Sequence, residues 1–213
     1  MLYWNTVSPL LKESLLKLNS AKELSEFRLV VGTALSLYLG HRISVDIDLF
    51  TDADYGSIDF SLIDSYLKKD FSYVAGDFGR NAAMGKSYLI GNSISEAVKL
   101  DIYYSMDPFF QDVYIEDNIR LATKPEIVAM KIDVVQRGGR KKDFWDLHEM
   151  LRFYTIPEMI NFHRLRFEWT HNPEIIIKNF SNFTKADFDL NPICLYSKEW
   201  EFIKEDLEAA LKY

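Results

Sequence analysis

The stretch VDIDLF at positions 45–50 alternates apolar and acidic residues. A period of two is the mark of a β-strand with one buried face. Val45, Ile47 and Leu49 are expected on that face, with Asp46 and Asp48 on the other. Such a chain must build a sheet and also accommodate two carboxylates at i and i+2 on one strand. Partly buried, they repel each other and are costly to desolvate. A divalent cation relieves both problems, and hard carboxylate oxygens suit Mg²⁺ or Mn²⁺. A strand with one solvated face is the alternative. Two other Asp-x-Asp pairs, Asp52/Asp54 and Asp187/Asp189, lie outside any convincing hydrophobic strand.

Around this strand the patterns divide. Ser8-Pro9 opens a helix with Leu10, Leu11, Leu15, Leu16 and Leu18 at helical spacing. FRLVV at 27–31 reads as a short buried strand, broken by Gly32-Thr33 and followed by a helix over 34–39 that stops at Gly40. Residues 58–69 suit an amphipathic helix, and 71–78, 87–90 and 98–104 read as strands. Lys124-Pro125 starts a periodic helix that Gly138-Gly139 ends; another runs over 142–152, and the chain beyond Pro157 is mostly helical. Strands before 123 and helices after it predict an α+β fold. The expected domains are 1–123 (α/β) and 124–213 (helical). The aromatics after Tyr154 fall at helical spacing and are expected in the core.

Composition narrows the function class. Hydrophobic residues make up 48% and charged residues 27%, which is globular and not disordered. The single cysteine, Cys194, excludes an intrachain disulfide and a multi-cysteine zinc site. No signal peptide and no membrane-length apolar run are visible, so a soluble cytoplasmic protein is expected, with no membrane partner. A net charge of -7 excludes a generally basic nucleic-acid coat but not a local basic patch.

Two features add to the paired carboxylates. Strand, Gly32-Thr33, then helix is the layout of an anion site, since backbone N–H groups and the helix N-terminus both favour negative charge; a plain turn is the other reading. KLDIY at 99–103 places a third carboxylate, Asp101, among apolar residues of another strand. Three carboxylates on neighbouring strands would complete a two-metal site of the kind that orients a triphosphate. A strand-edge charge is the alternative. Arg137, Arg140, Lys141 and Lys142 form the densest basic run, either surface charge or a phosphate-backbone contact. His148, His163 and His171 lack metal-ligand spacing and read as structural or surface residues.

The segment VGTALSLYLGHRISVDIDLF at 31–50 resembles the AbiEii/AbiGii-type toxin family, a branch of the DNA polymerase beta-like nucleotidyltransferases. Gly32, Thr33, Ala34, Leu35, His41, Arg42, Ser44, Asp46, Asp48 and Phe50 match the family's G-G-T-A-L and H-R-x-S-x-D-[IL]-D-[LF]-F pattern; Val31 replaces the first glycine. Met130-Lys131, Arg137 and KDFWDL at 142–147 match a downstream region. The resemblance implies a nucleotidyltransferase-like mixed β-sheet flanked by helices, with the helical C-terminal domain packed on the active-site cleft. It implies Gly32 and Thr33 at a nucleoside triphosphate (NTP), Asp46 and Asp48 on Mg²⁺ or Mn²⁺, and Asp101 as third metal carboxylate and base. Lys131 would contact the phosphates, and Asp143 or Asp146 would belong to the downstream active-site motif. Arg42 could steady carboxylates or a phosphate as a bidentate donor. Lys131 lies on a helix whose other side is apolar, so its ammonium could face a cleft. Asp143 and Asp146, at i and i+3, share a helix face, where offsetting the helix dipole is the plainer reading.

The expected activity is metal-dependent transfer of a nucleoside monophosphate from an NTP to an acceptor hydroxyl, with release of pyrophosphate. The resemblance implies the toxin of an abortive-infection or toxin–antitoxin pair, with an RNA acceptor such as tRNA and a cognate antitoxin as partners. A small-molecule or protein acceptor is the alternative, as is a catalytically silent binding module on the same fold.

Overall fold

A computed structural model of the chain describes residues 1–76, 78 and 82–212. The chain divides into two compact units. The first is built from Met1–Leu39, Ser44–Pro108 and Asp112–Ala122, the second from Gly40–Ile43, Phe109–Gln111 and Thr123–Tyr213.

The first unit is organised on a seven-stranded mixed sheet, counted among the described residues. Its strands are β1 (Arg28–Leu29), β2 (Asp46–Thr51), β3 (Tyr73–Gly76), β4 (Gly85–Ser93), β5 (Glu96–Tyr104), β6 (Tyr114–Glu116) and β7 (Ile119–Leu121). The order is β3-β4-β5-β2-β1-β7-β6, with β2 parallel to β5, β1 parallel to β7, and the other neighbours antiparallel. The unit's helices are α1 (Pro9–Ser20), α2 (Val31–Leu39) and α3 (Phe60–Asp70). Ser8 caps α1 by accepting from the Leu11 amide, with Pro9 in the first turn. Ile47, Leu49, Leu100 and Ile102 are buried on one face of the central strands, and Leu11, Leu15, Leu18, Ile63 and Leu67 bury the apolar stripes of α1 and α3.

Several boundaries differ from the sequence reading. The strand expected over 27–31 shrinks to Arg28–Leu29, because the chain already turns into α2 at Val31, whose φ is +45°. Val45 lies outside β2 and is 65% exposed, so the buried face is held by Ile47, Leu49 and Thr51. The strand expected over 71–78 is Tyr73–Gly76, and position 77 lies outside the described residues. The hairpin β6–β7 has no counterpart in the sequence reading.

The second unit contains α4 (Lys124–Val135), α5 (Lys141–Met150), α6 (Ile156–Arg166), α7 (Pro173–Phe180) and α8 (Trp200–Ala210). Gly138, at φ +88°, supplies the left-handed turn just after α4. Trp145 and Trp200 stack with ring centres 6.2 Å apart, and Phe144 and Phe183 meet Trp200 and each other edge-on, so these aromatics are core. Trp169, Phe188, Phe202 and Tyr196 depart from the expected core placement, the first two about nine-tenths exposed. The segment 40–43 is pinned inside this unit by two backbone bonds, from the Ile43 amide to Ile193 and from the Leu195 amide to His41. Among the described residues no helix is long and apolar enough to cross a membrane.

Candidate active site

In the first unit the register sets the site. Asp46 pairs with Lys99 and Asp48 with Asp101 across the parallel β2–β5 junction. Directly paired residues share a face and alternate residues return to it. Asp46, Asp48, Lys99 and Asp101 therefore stand together on the face opposite the buried Ile47, Leu49, Leu100 and Ile102. The Lys99 ammonium donates to Asp101 Oδ2 at 2.5 Å. That bond, with the charges of Asp101, Asp46 and Asp48, holds the Lys99 pKa above the usual lysine range. Among the described residues, Asp101 Oδ1 is buried with no hydrogen-bond partner.

The glycine-bearing bend follows β1. Gly32 and Thr33 occupy the first turn of α2, where the initial N–H groups have no acceptor within the helix itself. Thr33 is buried, and its hydroxyl is engaged inside the unit. It shares a hydrogen bond of 2.8 Å with Ser44 Oγ and donates to the Asp46 carbonyl. That contact ties the start of α2 to the start of the acidic strand.

Lys131, Asp143, Asp146, His41 and Arg42 meet in the second unit. Asp146 is fully buried. Its Oδ1 accepts from Arg42 Nε at 2.6 Å and lies 2.8 Å from His41 Nε2; its Oδ2 accepts from Arg42 Nη2 at 2.7 Å and pairs with Lys131 Nζ at 2.6 Å. Lys131 also donates to Asp143 Oδ1 at 2.7 Å, and the Arg140 amide donates to Asp143 Oδ2 at 3.0 Å. Burial alone would raise the Asp146 pKa, but the Arg42 and Lys131 charges override it and hold the carboxyl well below its usual range. Burial likewise opposes the Lys131 charge, and Asp146 and Asp143 outweigh it. Burial lowers the His41 pKa despite its contact with Asp146. Arg42 grips the Asp146 carboxylate in bidentate fashion. The Lys131 ammonium faces Asp143 and Asp146 and is almost completely buried.

The remaining candidates divide. Arg137 and Arg140 have exposed side chains, whereas Lys141 is buried and donates to Asn191 Oδ1 at 3.1 Å. Asp187 accepts from Trp200 Nε1, and Asp189 from the Lys141 amide. His148 pairs with Asp206, and His163 Nδ1 lies 3.0 Å from His171 Nδ1. Lys99 was missed as a site residue; its place at i−2 from Asp101 was the available signal.

Whether a divalent cation suits the β2–β5 face is a question of donor chemistry. Three hard carboxylates share the face, and one buried carboxylate oxygen has no partner among the described residues, which fits Mg²⁺ or Mn²⁺. Among the described residues, no three His, Cys, Asp or Glu side chains stand gathered as a ligand set.

A family model described as nucleotidyl transferase AbiEii toxin, type IV toxin–antitoxin system, matches residues 21–213. Uncharacterized protein aq_aa25 of Aquifex aeolicus is 28% identical over 146 residues, covering 66% of this chain and 65% of that relative, so the match spans just under two thirds of the relative's length. Among solved structures, JHP933 of Helicobacter pylori is similar with a TM-score of 0.60 at 16% identity, covering 95% of this chain and 87% of that one. MenT4, a nucleotidyltransferase toxin of Mycobacterium tuberculosis, is similar with a TM-score of 0.50 at 12% identity, covering 93% and 79%. At these identities the structural likeness concerns the fold: the mixed sheet with flanking helices is a nucleotidyltransferase fold.

Proposed function

The chain belongs to the AbiEii family of nucleotidyl transferase toxins, and we propose that it moves a nucleoside monophosphate from an NTP to an acceptor hydroxyl, with the 3′ end of an RNA such as tRNA as acceptor. The observation that carries this reading is the pairing of Asp48 with Asp101 on adjacent strands, two residues along from Asp46. The first turn of α2, with Gly32 at its second position, offers backbone N–H groups to the triphosphate.

Asp46, Asp48 and Asp101 would hold Mg²⁺ or Mn²⁺, which when bound neutralises triphosphate charge and favours the ionised acceptor hydroxyl. Asp101 takes the proton of that hydroxyl. The acceptor oxygen bonds to the α-phosphorus, the bond from that phosphorus to the bridging oxygen breaks, and pyrophosphate leaves with the displaced electron pair. Thr33 acts by fixing the bend against β2, since its hydroxyl is already engaged by Ser44 and the Asp46 carbonyl. We assign Lys131, Asp143 and Asp146 to the same activity through the downstream motif, and Arg42 through the upstream one, with their mutual ion pairs holding the cluster rigid. Toxicity and neutralisation by a cognate antitoxin complete the proposal.

The test uses each labelled NTP with Mg²⁺ and total RNA. Wild-type protein is expected to label RNA, and Asp46→Ala to lose the labelling while keeping its circular dichroism spectrum. Full labelling by that variant overturns the assignment, and label recovered in a small-molecule or protein fraction overturns the RNA acceptor.

A further inference from the structure

Lys99 takes no part in the activity as described, yet it stands at the centre of the acidic face. It lies two residues before Asp101 on β5 and directly across from Asp46 on β2. Its ammonium engages Asp101 Oδ2 at 2.5 Å, while Oδ1 of the same carboxylate is buried without a hydrogen-bond partner among the described residues. The side chain is about half exposed, so packing does not lock it in place. Three carboxylates on one sheet face repel one another when no cation lies among them. A flexible four-carbon stem carrying a compact charge is suited to supplying that cation and to leaving again.

We propose that Lys99 is the resident counter-cation of the carboxylate face: in the metal-free protein its ammonium occupies Asp101, and it swings away when a divalent ion binds. The inference rests on the reading of Asp46, Asp48 and Asp101 as metal ligands. It accounts for a lysine ammonium held against a carboxylate of a face that carries three acidic side chains. Lys99 thus sets how tightly the face takes its ion.

Mn²⁺ binding without nucleotide, measured by calorimetry and by the electron paramagnetic resonance signal of free Mn²⁺, tests this on the full chain. Lys99→Met is expected to bind Mn²⁺ roughly two- to fivefold more tightly than wild type, the range set by losing a half-exposed ion pair. The double variant Lys99→Met/Asp48→Asn is expected to lose that binding. A readout on unmutated protein runs alongside: acetic anhydride labelling of Lys99, followed by peptide mass spectrometry, should increase when Mn²⁺ is added. Equal or weaker Mn²⁺ binding by Lys99→Met, still dependent on Asp48, overturns the role of Lys99 and leaves the carboxylate site standing. No Mn²⁺ binding by any form overturns both. Lys99 labelling unchanged by bound Mn²⁺ also overturns the displacement.

Discussion

Val31 holds the most unfavourable backbone position in the site. Its φ of +45° is left-handed, a region that β-branched residues rarely occupy. The family pattern has glycine at this point, so the geometry survives here with the wrong side chain for it. Left-handed backbone costs an L-residue about 1–2 kcal/mol, and glycine escapes that cost but loses more chain entropy on folding. Val31→Gly is therefore expected to stabilise the protein by about 1 kcal/mol in urea unfolding. Destabilisation by a similar amount would show that Val31 packing outweighs its backbone. The pairing of Asp46 with Asp48 was legible in the sequence, because alternation alone puts both on one face. The engagement of the Thr33 hydroxyl was not, since its partners, Ser44 and the Asp46 carbonyl, lie across the intervening α2 helix.

At the scale of elements, α5 is fastened to α4 and to the segment 40–43 through one carboxylate. Asp146 is fully buried and meets His41, Arg42 and Lys131. Removing one member of such a cluster strands the others without compensation, at about 3–5 kcal/mol. Asp146→Ala is expected to destabilise the fold by that much, read as a fall in thermal midpoint; a change under 1 kcal/mol, roughly the worth of a surface pair, would contradict it. The pH dependence follows from two depressed values. Asp146 titrates well below its ordinary 3.8 when folded, so its contribution is complete above 3.8 and is lost as pH falls through the folded value. His41 titrates below its ordinary 6.5, so in the window beneath 6.5 the unfolded chain takes up the proton first and stability falls with pH. Urea midpoints should drop as pH falls below 6.5, and His41→Asn should flatten the part of that slope due to His41. The long periodic elements were readable from apolar spacing, α1 and α4 among them. The β6–β7 hairpin was not, because three-residue strands carry little periodicity. Asp117 and Asn118 at its tip, with φ of +50° and +61°, are the residues such a turn demands and were the available clue.

Across the whole molecule the chain passes back and forth between its two units. The second unit takes Gly40–Ile43 and Phe109–Gln111 from within the span of the first. Glu126 shows why the second insert matters. This buried carboxylate accepts from the Phe110 and Gln111 amides and pairs with buried Arg166 at 2.6 Å. A fragment comprising 124–213 lacks those amides and also His41 and Arg42, so it is expected to give no cooperative thermal transition, and a sharp transition at the full-length midpoint would contradict this. Linear patterns of helix and strand separate the two kinds of structure along the chain. They do not reveal these inserts, because membership depends on partners 15 residues away for Gln111 and 104 for Arg42.

The central claim is that the face carrying Asp46, Asp48 and Asp101 performs nucleotidyl transfer. Its most direct test is single-turnover transfer from labelled NTP by Asp101→Asn, checked beforehand for an unchanged melting temperature. Loss of a general base typically costs about 10²–10⁴-fold, and a fall in that range is predicted. A folded Asp101→Asn protein that transfers at the wild-type rate would contradict the account.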